Sequence, residues 1–270
     1  MKKLITIFII TLLLFTGTLF AVGEKESTKA DPLVVAMELQ YPPFEMSDTA
    51  GNPAGISIEI AYALGEYLNR PVEIENISWT GLIPSLQTGK ADIIISSMTI
   101  TEERRKVVDF SDPYIKSGLT LLIAKASPVK TFDDLNASGR IVAVKSGTTG
   151  SQVAREKLTQ ADVRQFDEVA ACVLEVSQGK ADAFIYDALT IYENHKKHAE
   201  TTRLNIQSIP GTDGFWGMAI KKGNEEFLAD VNEFIKEFQV SGGFNVLAEK
   251  FLGEQKAIFD QSGVPFFFDL

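Results

Sequence analysis

Cysteine and histidine are scarce: Cys172, His195 and His198 are all that 270 residues contain. A single thiol cannot close an intramolecular disulfide. Its apolar setting, Ala170-Ala171-Cys172-Val173-Leu174, suits a small core residue better than a nucleophile. The two histidines fall in a segment rich in Lys and Glu that reads as a helix surface, so no metal site is expected. An excess of positive charge is also missing. Lys and Arg total 26 against 36 Asp and Glu, a net charge of −10 with a pI near 4.8. That balance argues against nucleic acid or an anionic membrane as the main partner. There is no Walker or dinucleotide glycine pattern, and Gly147-Thr148-Thr149-Gly150 alone is a weak phosphate signal, so no cofactor is expected. Beyond residue 30, no apolar run is long enough to cross a bilayer.

What is present begins with Lys2 and Lys3, an uncharged run over residues 4–20, and the small residues Ala21-Val22-Gly23. This order describes a secretory signal peptide over residues 1–23, followed by a polar linker over 24–31. An uncleaved membrane anchor is the alternative. No cysteine lies near residue 21, so the usual bacterial lipid-anchor signal is absent. With 45% hydrophobic and 23% charged residues, the mature chain can bury a substantial core and divide into two lobes.

The stretch LQTGKADIIISSMTITEERRKVVDFSDPY, residues 86–114, organises the rest. Gly89 can take the left-handed conformation that closes a helix. Ile93-Ile94-Ile95 is a β-branched run without alternation, suited to a strand buried on both faces. Ser96, Ser97, Thr99 and Thr101 then place hydroxyls at the strand's carboxyl end, the edge where open α/β sheets bind ligands. Glu102, Glu103 and Arg104 open the next helix, with the acidic pair favoured in its first turn. A guanidinium among hydroxyls and free helix-terminal N–H groups is suited to a carboxylate, although a solvated Arg on an ordinary strand-loop-helix has the same pattern.

Elsewhere the same grammar recurs. Val34-Val35-Ala36-Met37-Glu38 has a counterpart in Ile141-Val142-Ala143-Val144-Lys145. Gly89-Lys90-Ala91-Asp92, an apolar triplet and Ser96-Ser97 have a counterpart in Gly179-Lys180-Ala181-Asp182, Ala183-Phe184-Ile185 and Tyr186-Asp187. A duplicated α/β lobe follows. Two such lobes facing each other bring Glu38, Ser96 and Ser97, Lys145, and Tyr186 and Asp187 around one cleft. Tyr41-Pro42-Pro43-Phe44 makes a stiff loop, and Ser78-Trp79-Thr80-Gly81 leads into a helix. Phe215-Trp216-Gly217-Met218-Ala219-Ile220 reads as one strand returning to the first half. Residues 227–238 read as an amphipathic helix, and Gly242-Gly243 as the start of another that ends near Phe251. An apolar tail, Val264-Pro265-Phe266-Phe267-Phe268, follows.

YPPFEM, the WTGLIPSLQTGKADIIISSMTITEERRKVVDFSDPY block, VAVKSGTTG and GKADAFIYD stand in the order and spacing of bacterial extracellular solute-binding proteins of the polar amino-acid type. The chain resembles that family over roughly residues 31–254, with the glutamine-binding members nearest in pattern and histidine- and arginine-binding relatives close by. The resemblance implies a two-lobed Venus-flytrap fold of two α/β lobes joined by two crossover strands. The lobes are expected at 32–118 with 215–254, and at 119–214, with a tail at 255–270 and hinges near 117–121 and 214–217.

The resemblance also implies a monomer that closes on a free L-amino acid in the periplasm and delivers it to the membrane subunits of an ABC permease, without catalysis. By that likeness Arg104 pairs with the ligand carboxylate, aided by Thr99 and the Ser97 and Thr149 region, and Ser96 belongs to the ligand-binding set. Asp187 takes the ammonium with the Ser97 carbonyl or hydroxyl beside it, Tyr41 and Trp79 sandwich the side chain, and Glu38 and Lys145 reach its far end. The physics of enclosing a zwitterion agrees, because each desolvated charge needs a fixed partner. An acceptor beside a donor fits a neutral amide, so glutamine is the first choice. Arginine, histidine and lysine are the alternatives, since Trp79 also suits a guanidinium. Membrane sensors and cyclohexadienyl dehydratases share the fold. The sensor reading requires a second membrane segment and a signalling domain that this sequence is not expected to hold. The enzyme reading requires a general acid, for which Asp187 is the lone candidate.

Overall fold

The structure, a computed structural model, describes residues 31–205 and 207–262, with side chains as far as Gln255. The expected signal peptide and the apolar tail from Val264 lie outside the described residues.

The first lobe starts with β1 (Leu33–Met37), whose unbroken apolar run is buried except at the half-buried Val34, as suits a central strand. Strands β2 (Gln40–Tyr41), β3 (Glu45–Ser47) and β4 (Pro53–Ala54) form a small separate sheet. Helix α1 (Ile56–Tyr67) buries Ile56, Ile60, Ala61 and Leu64 at helical spacing. The alternating β5 (Val72–Asn76) forms an edge. A 3₁₀ turn at Trp79–Gly81 leads into α2 (Leu82–Thr88), which Gly89 closes at φ +73°. Then come β6 (Ile93–Ile94), the short α3 (Glu102–Arg105) capped by Thr101, and β7 (Val108–Phe110).

After β8 (Ile115–Ser117), the second lobe holds β9 (Leu119–Ala124), β10 (Ile141–Lys145), α4 (Thr149–Lys157) and β11 (Asp162–Phe166). It continues with α5 (Val169–Ser177), β12 (Ala183–Asp187), α6 (Ala188–Lys197) and β13 (Thr202–Asn205). The chain returns through β14 (Gly214–Trp216) and β15 (Ala219–Lys221) to α7 (Glu225–Val240) and α8 (Gly243–Ser262).

The two large sheets have the same plan. Their orders are β5-β1-β6-β15-β7 and β11-β10-β12-β9-β13, and in each the fourth strand runs antiparallel to its neighbours. Apolar clusters pack on both faces of each sheet. The fold is therefore two α/β lobes, and the chain crosses between them twice. At the crossings β8 and β14 pair antiparallel, Ile115 opposite Trp216 and Ser117 opposite Gly214.

Two element boundaries differ from the sequence reading. The strand expected over Phe215–Ile220 is broken between β14 and β15. There the chain leaves the crossover for the first-lobe sheet, and a side chain on Gly217 would meet Ile100 at 2.9 Å and Phe110 at 3.2 Å. Helix α8 does not stop near Phe251 but runs to Ser262. Glu254-Gln255-Lys256-Ala257 are strong helix formers, and no proline intervenes.

Candidate functional site

The carboxyl ends of β1, β6, β10 and β12 converge, as parallel strands of two facing sheets must when the chain is duplicated. Between them lies a cavity of about 50 Å³. Nine of the ten residues singled out from the sequence line it: Glu38, Tyr41, Trp79, Ser96, Ser97, Thr99, Arg104, Thr149 and Asp187. The tenth, Lys145, sits behind Glu38. Where the sequence reading has these two presenting an acceptor and a donor to a ligand, the structure pairs them with each other, Lys145 Nζ donating to Glu38 Oε2. Both are buried, at 2% and 6% exposure. The pair joins the lobes, and its physical reason is plain: two buried charges without other partners are far less costly together. Glu38 is held further by the Trp79 N–H on Oε1 at 3.1 Å, and its own N–H donates to Ser96 Oγ at 3.0 Å.

Arg104 lies on the first lobe. Its guanidinium donates to the Thr99 carbonyl at 2.7 Å and, across the cleft, to the Gly147 carbonyl at 3.2 Å. It stands over the Trp79 ring at 5.2 Å. Burial lowers its pKa to about 10, which leaves it charged at neutral pH. The fork has five N–H donors, so these two contacts leave donors for an anion.

Asp187 lies on the second lobe and ends β12. Its Oδ1 accepts from the Thr190 N–H at 2.9 Å and so caps α6. Its Oδ2 is buried with no hydrogen-bond partner among the described residues. Burial pushes this carboxyl up, against the Thr190 backbone bond and the influence of the Tyr41 hydroxyl. Tyr41 Oη is likewise without a hydrogen-bond partner among the described residues. It feels the Asp187 charge, which adds to burial in raising it, although hydrogen-bond geometry between the two is not met. The Tyr41 ring stacks on Phe44 at 5.5 Å and meets Trp216 and Tyr186 edge-on. Thr148 caps α4 and donates to the Lys145 carbonyl at 2.7 Å, fixing the loop that carries Gly147 and Thr149.

The cavity also has walls that sequence reasoning does not single out as site residues: Glu45, Ser117, Leu119, Thr148 and Trp216. Tyr186, which the duplicated pattern places at the cleft as a strand exit, lines it as well, whereas the sequence marks Trp216 only as a strand residue. Glu45 carried a usable signal, since it stands four positions after Tyr41 beyond a diproline, and the hairpin register sets the two directly opposite.

Among the described residues no helix is long and apolar enough to cross a membrane. Comparison with known proteins gives a consistent result. Residues 33–254 match the bacterial extracellular solute-binding proteins, family 3. The L-cystine-binding protein TcyJ of Escherichia coli K12 is 33% identical over 223 residues, 82% of each chain. The ABC transporter glutamine-binding protein GlnH of Bacillus subtilis is 31% identical over 268 residues, covering 94% of this chain and 97% of that one. Among solved structures, the ancestral amino acid-binding protein AncCDT-1, a precursor of cyclohexadienyl dehydratase, is 39% identical with a TM-score of 0.73, over 82% of this chain and 94% of that one. The family match, the curated relatives and the solved structures agree, and this chain belongs to the family 3 bacterial extracellular solute-binding proteins.

Proposed function

We propose that this protein is the periplasmic receptor of an ABC importer, a monomer that closes on one free L-amino acid and presents it to the membrane permease subunits. The lobes are taken as 32–118 with 215–254, and 119–214, bending at the paired β8 and β14. The observation that carries the reading is the placement of opposite charges on opposite lobes. Arg104 of the first lobe keeps free donors, and Asp187 of the second keeps an unpartnered carboxylate oxygen, both lining one cavity. A zwitterion that satisfies both must bridge the lobes, so ligand binding and closure reinforce each other. The hydroxyls of Ser97, Thr99 and Thr149 complete the polar end, and Tyr41 and Trp79 offer aromatic faces to the side chain.

Glutamine is the first choice of ligand. The Glu38–Lys145 pair is neutral as a unit, and Glu38 still lines the cavity as an acceptor for an amide N–H. A basic amino acid is the second reading. It is favoured by Glu45, a further carboxyl on the cavity wall faced by no cation among the described residues. Catalysis is not proposed, and no product should form on incubation with prephenate or arogenate.

The test is isothermal titration calorimetry of residues 24–270, unfolded and refolded to strip carried ligand, against the twenty amino acids. Tight binding of glutamine alone supports the first reading, and preference for arginine or lysine supports the second. Absence of heat with every amino acid rejects both.

A further inference from the structure

Glu45 lines the cavity, and neither the zwitterion clamp of Arg104 and Asp187 nor the Glu38–Lys145 pair uses its carboxyl. It is 1% exposed. Three serine hydroxyls converge on it: Ser57 Oγ at 2.6 Å and Ser97 Oγ at 3.0 Å donate to Oε2, and Ser96 Oγ at 3.4 Å donates to Oε1. The cations nearby are engaged elsewhere, Lys145 by Glu38 and Arg104 by two carbonyls. The titratable groups that face Glu45 are Glu38, Tyr114 and Tyr186, none of which supplies positive charge. Burial therefore pushes its carboxyl up to about 8, against the hydroxyl bonds from Ser57 and Ser97. Ser97 itself holds the left-handed conformation at φ +47°, unusual for a residue with a side chain, and its hydroxyl is tied to Glu45.

The two protonation states of Glu45 present Ser97 to the cavity differently. As a carboxylate, Glu45 accepts a hydrogen bond from the Ser97 hydroxyl, so the lone pairs of Ser97 Oγ are left for a cationic group of the ligand. As a carboxylic acid, Glu45 carries a proton that one of the surrounding hydroxyls must turn round to accept. A cation arriving at Ser97 and Asp187 also replaces the positive charge that the proton supplied.

We propose that Glu45 is a positioning residue that gives up its proton to solvent when the cationic group of an amino acid docks beside Ser97, coupling ligand binding to proton release. The O–H bond of the acid breaks and no other covalent bond changes. The proposal rests on the amino-acid-binding reading above and adds regulation by pH to it.

Titration calorimetry with L-glutamine and L-arginine, near pH 7 in buffers of different ionisation enthalpy, tests it. The expected result is release of most of one proton per ligand. Affinity should rise by up to about tenfold per pH unit and level off above pH about 8. Glu45→Gln should show no proton release and a flat pH profile over that range, at whatever affinity it retains. Ser57→Ala leaves the cavity wall unchanged and removes one donor to the carboxylate, so the levelling point should move to higher pH. Binding without buffer dependence overturns the proposal. So does release that survives in Glu45→Gln, which would transfer the proton to Asp187. If Glu45→Gln fails to fold, an unmoved profile in Ser57→Ala overturns it instead. Heat from neither amino acid in any buffer removes the underlying reading and the proposal together, and differs visibly from binding without proton release.

Discussion

The two Gly-Lys-Ala-Asp segments, one in each lobe, do the same work at one end of their strands and different work at the other. Asp92 accepts from the Val34 N–H at 3.0 Å and from Arg70 at 2.9 Å, and its own N–H donates to the Val34 carbonyl at 2.9 Å. Asp182 accepts from the Ile141 N–H at 2.9 Å and from Arg140 at 3.1 Å, and its N–H donates to the Ile141 carbonyl at 2.7 Å. Each aspartate pins the start of a central strand, on the side away from the cleft. Four residues later the lobes diverge. The first exits in Ser96 and Ser97, small hydroxyls turned on Glu45, and the second in Tyr186 and Asp187, a ring and a carboxylate with one oxygen unpartnered among the described residues. The duplicated aspartates are scaffold, and the diverged exits make one cavity chemically asymmetric, as the proposed amino-acid ligand requires.

Substitutions at the exits should break binding without breaking the fold. Arg104→Ala and Asp187→Asn are expected to lower amino-acid affinity by about a hundredfold or more, the range for removing one partner of a buried charge contact. Asparagine keeps the helix cap, so circular dichroism and melting temperature should barely move. Affinity within about threefold of the wild type would show that the asymmetry is not what recognises the ligand.

Across the cleft, Lys145→Met should destabilise the folded protein by about 3–5 kcal/mol, because Glu38 is left buried and unpaired. Adding Glu38→Gln should recover most of that loss in urea unfolding, and failure to recover would place the cost in packing rather than charge. At the scaffold end, Asp182→Asn and Asp92→Asn should each cost about 1–3 kcal/mol, with the less exposed Asp182 costing more. Affinity should stay within about twofold in both, and a tenfold loss would erase the distinction between scaffold and exit.

A further effect concerns pH. Glu45 binds its proton more tightly folded than unfolded, so its contribution to stability is full below the ordinary carboxylate range near 4.5 and declines as pH rises to about 8. A melting temperature that falls across that window in the wild type, and stays flatter in Glu45→Gln, is the expected pattern.

The central strands were readable because a strand covered on both faces must be a continuous apolar run, as Val34-Val35-Ala36 and Val142-Ala143-Val144 are. The cavity residues at strand exits were readable for a related reason. The first polar residue after a buried run marks where the strand reaches the cleft, which located Glu38, Ser96, Ser97 and Asp187. Glu45, Trp216 and Ser117 carry no such mark. They reach the cavity through a hairpin register and through the crossovers, where residues distant in sequence are brought alongside.

By itself, the sequence determined the α/β class, the duplication and the polar strand ends, because burial periodicity and helix closure are local consequences of residue type. Only the tertiary structure decided that Lys145 is spent on Glu38, 107 residues away, and that Glu45 stands on the cavity wall with no cation facing it among the described residues. Charge pairing depends on distance and burial between chain segments that no local pattern connects, and those were settled only when the two lobes met.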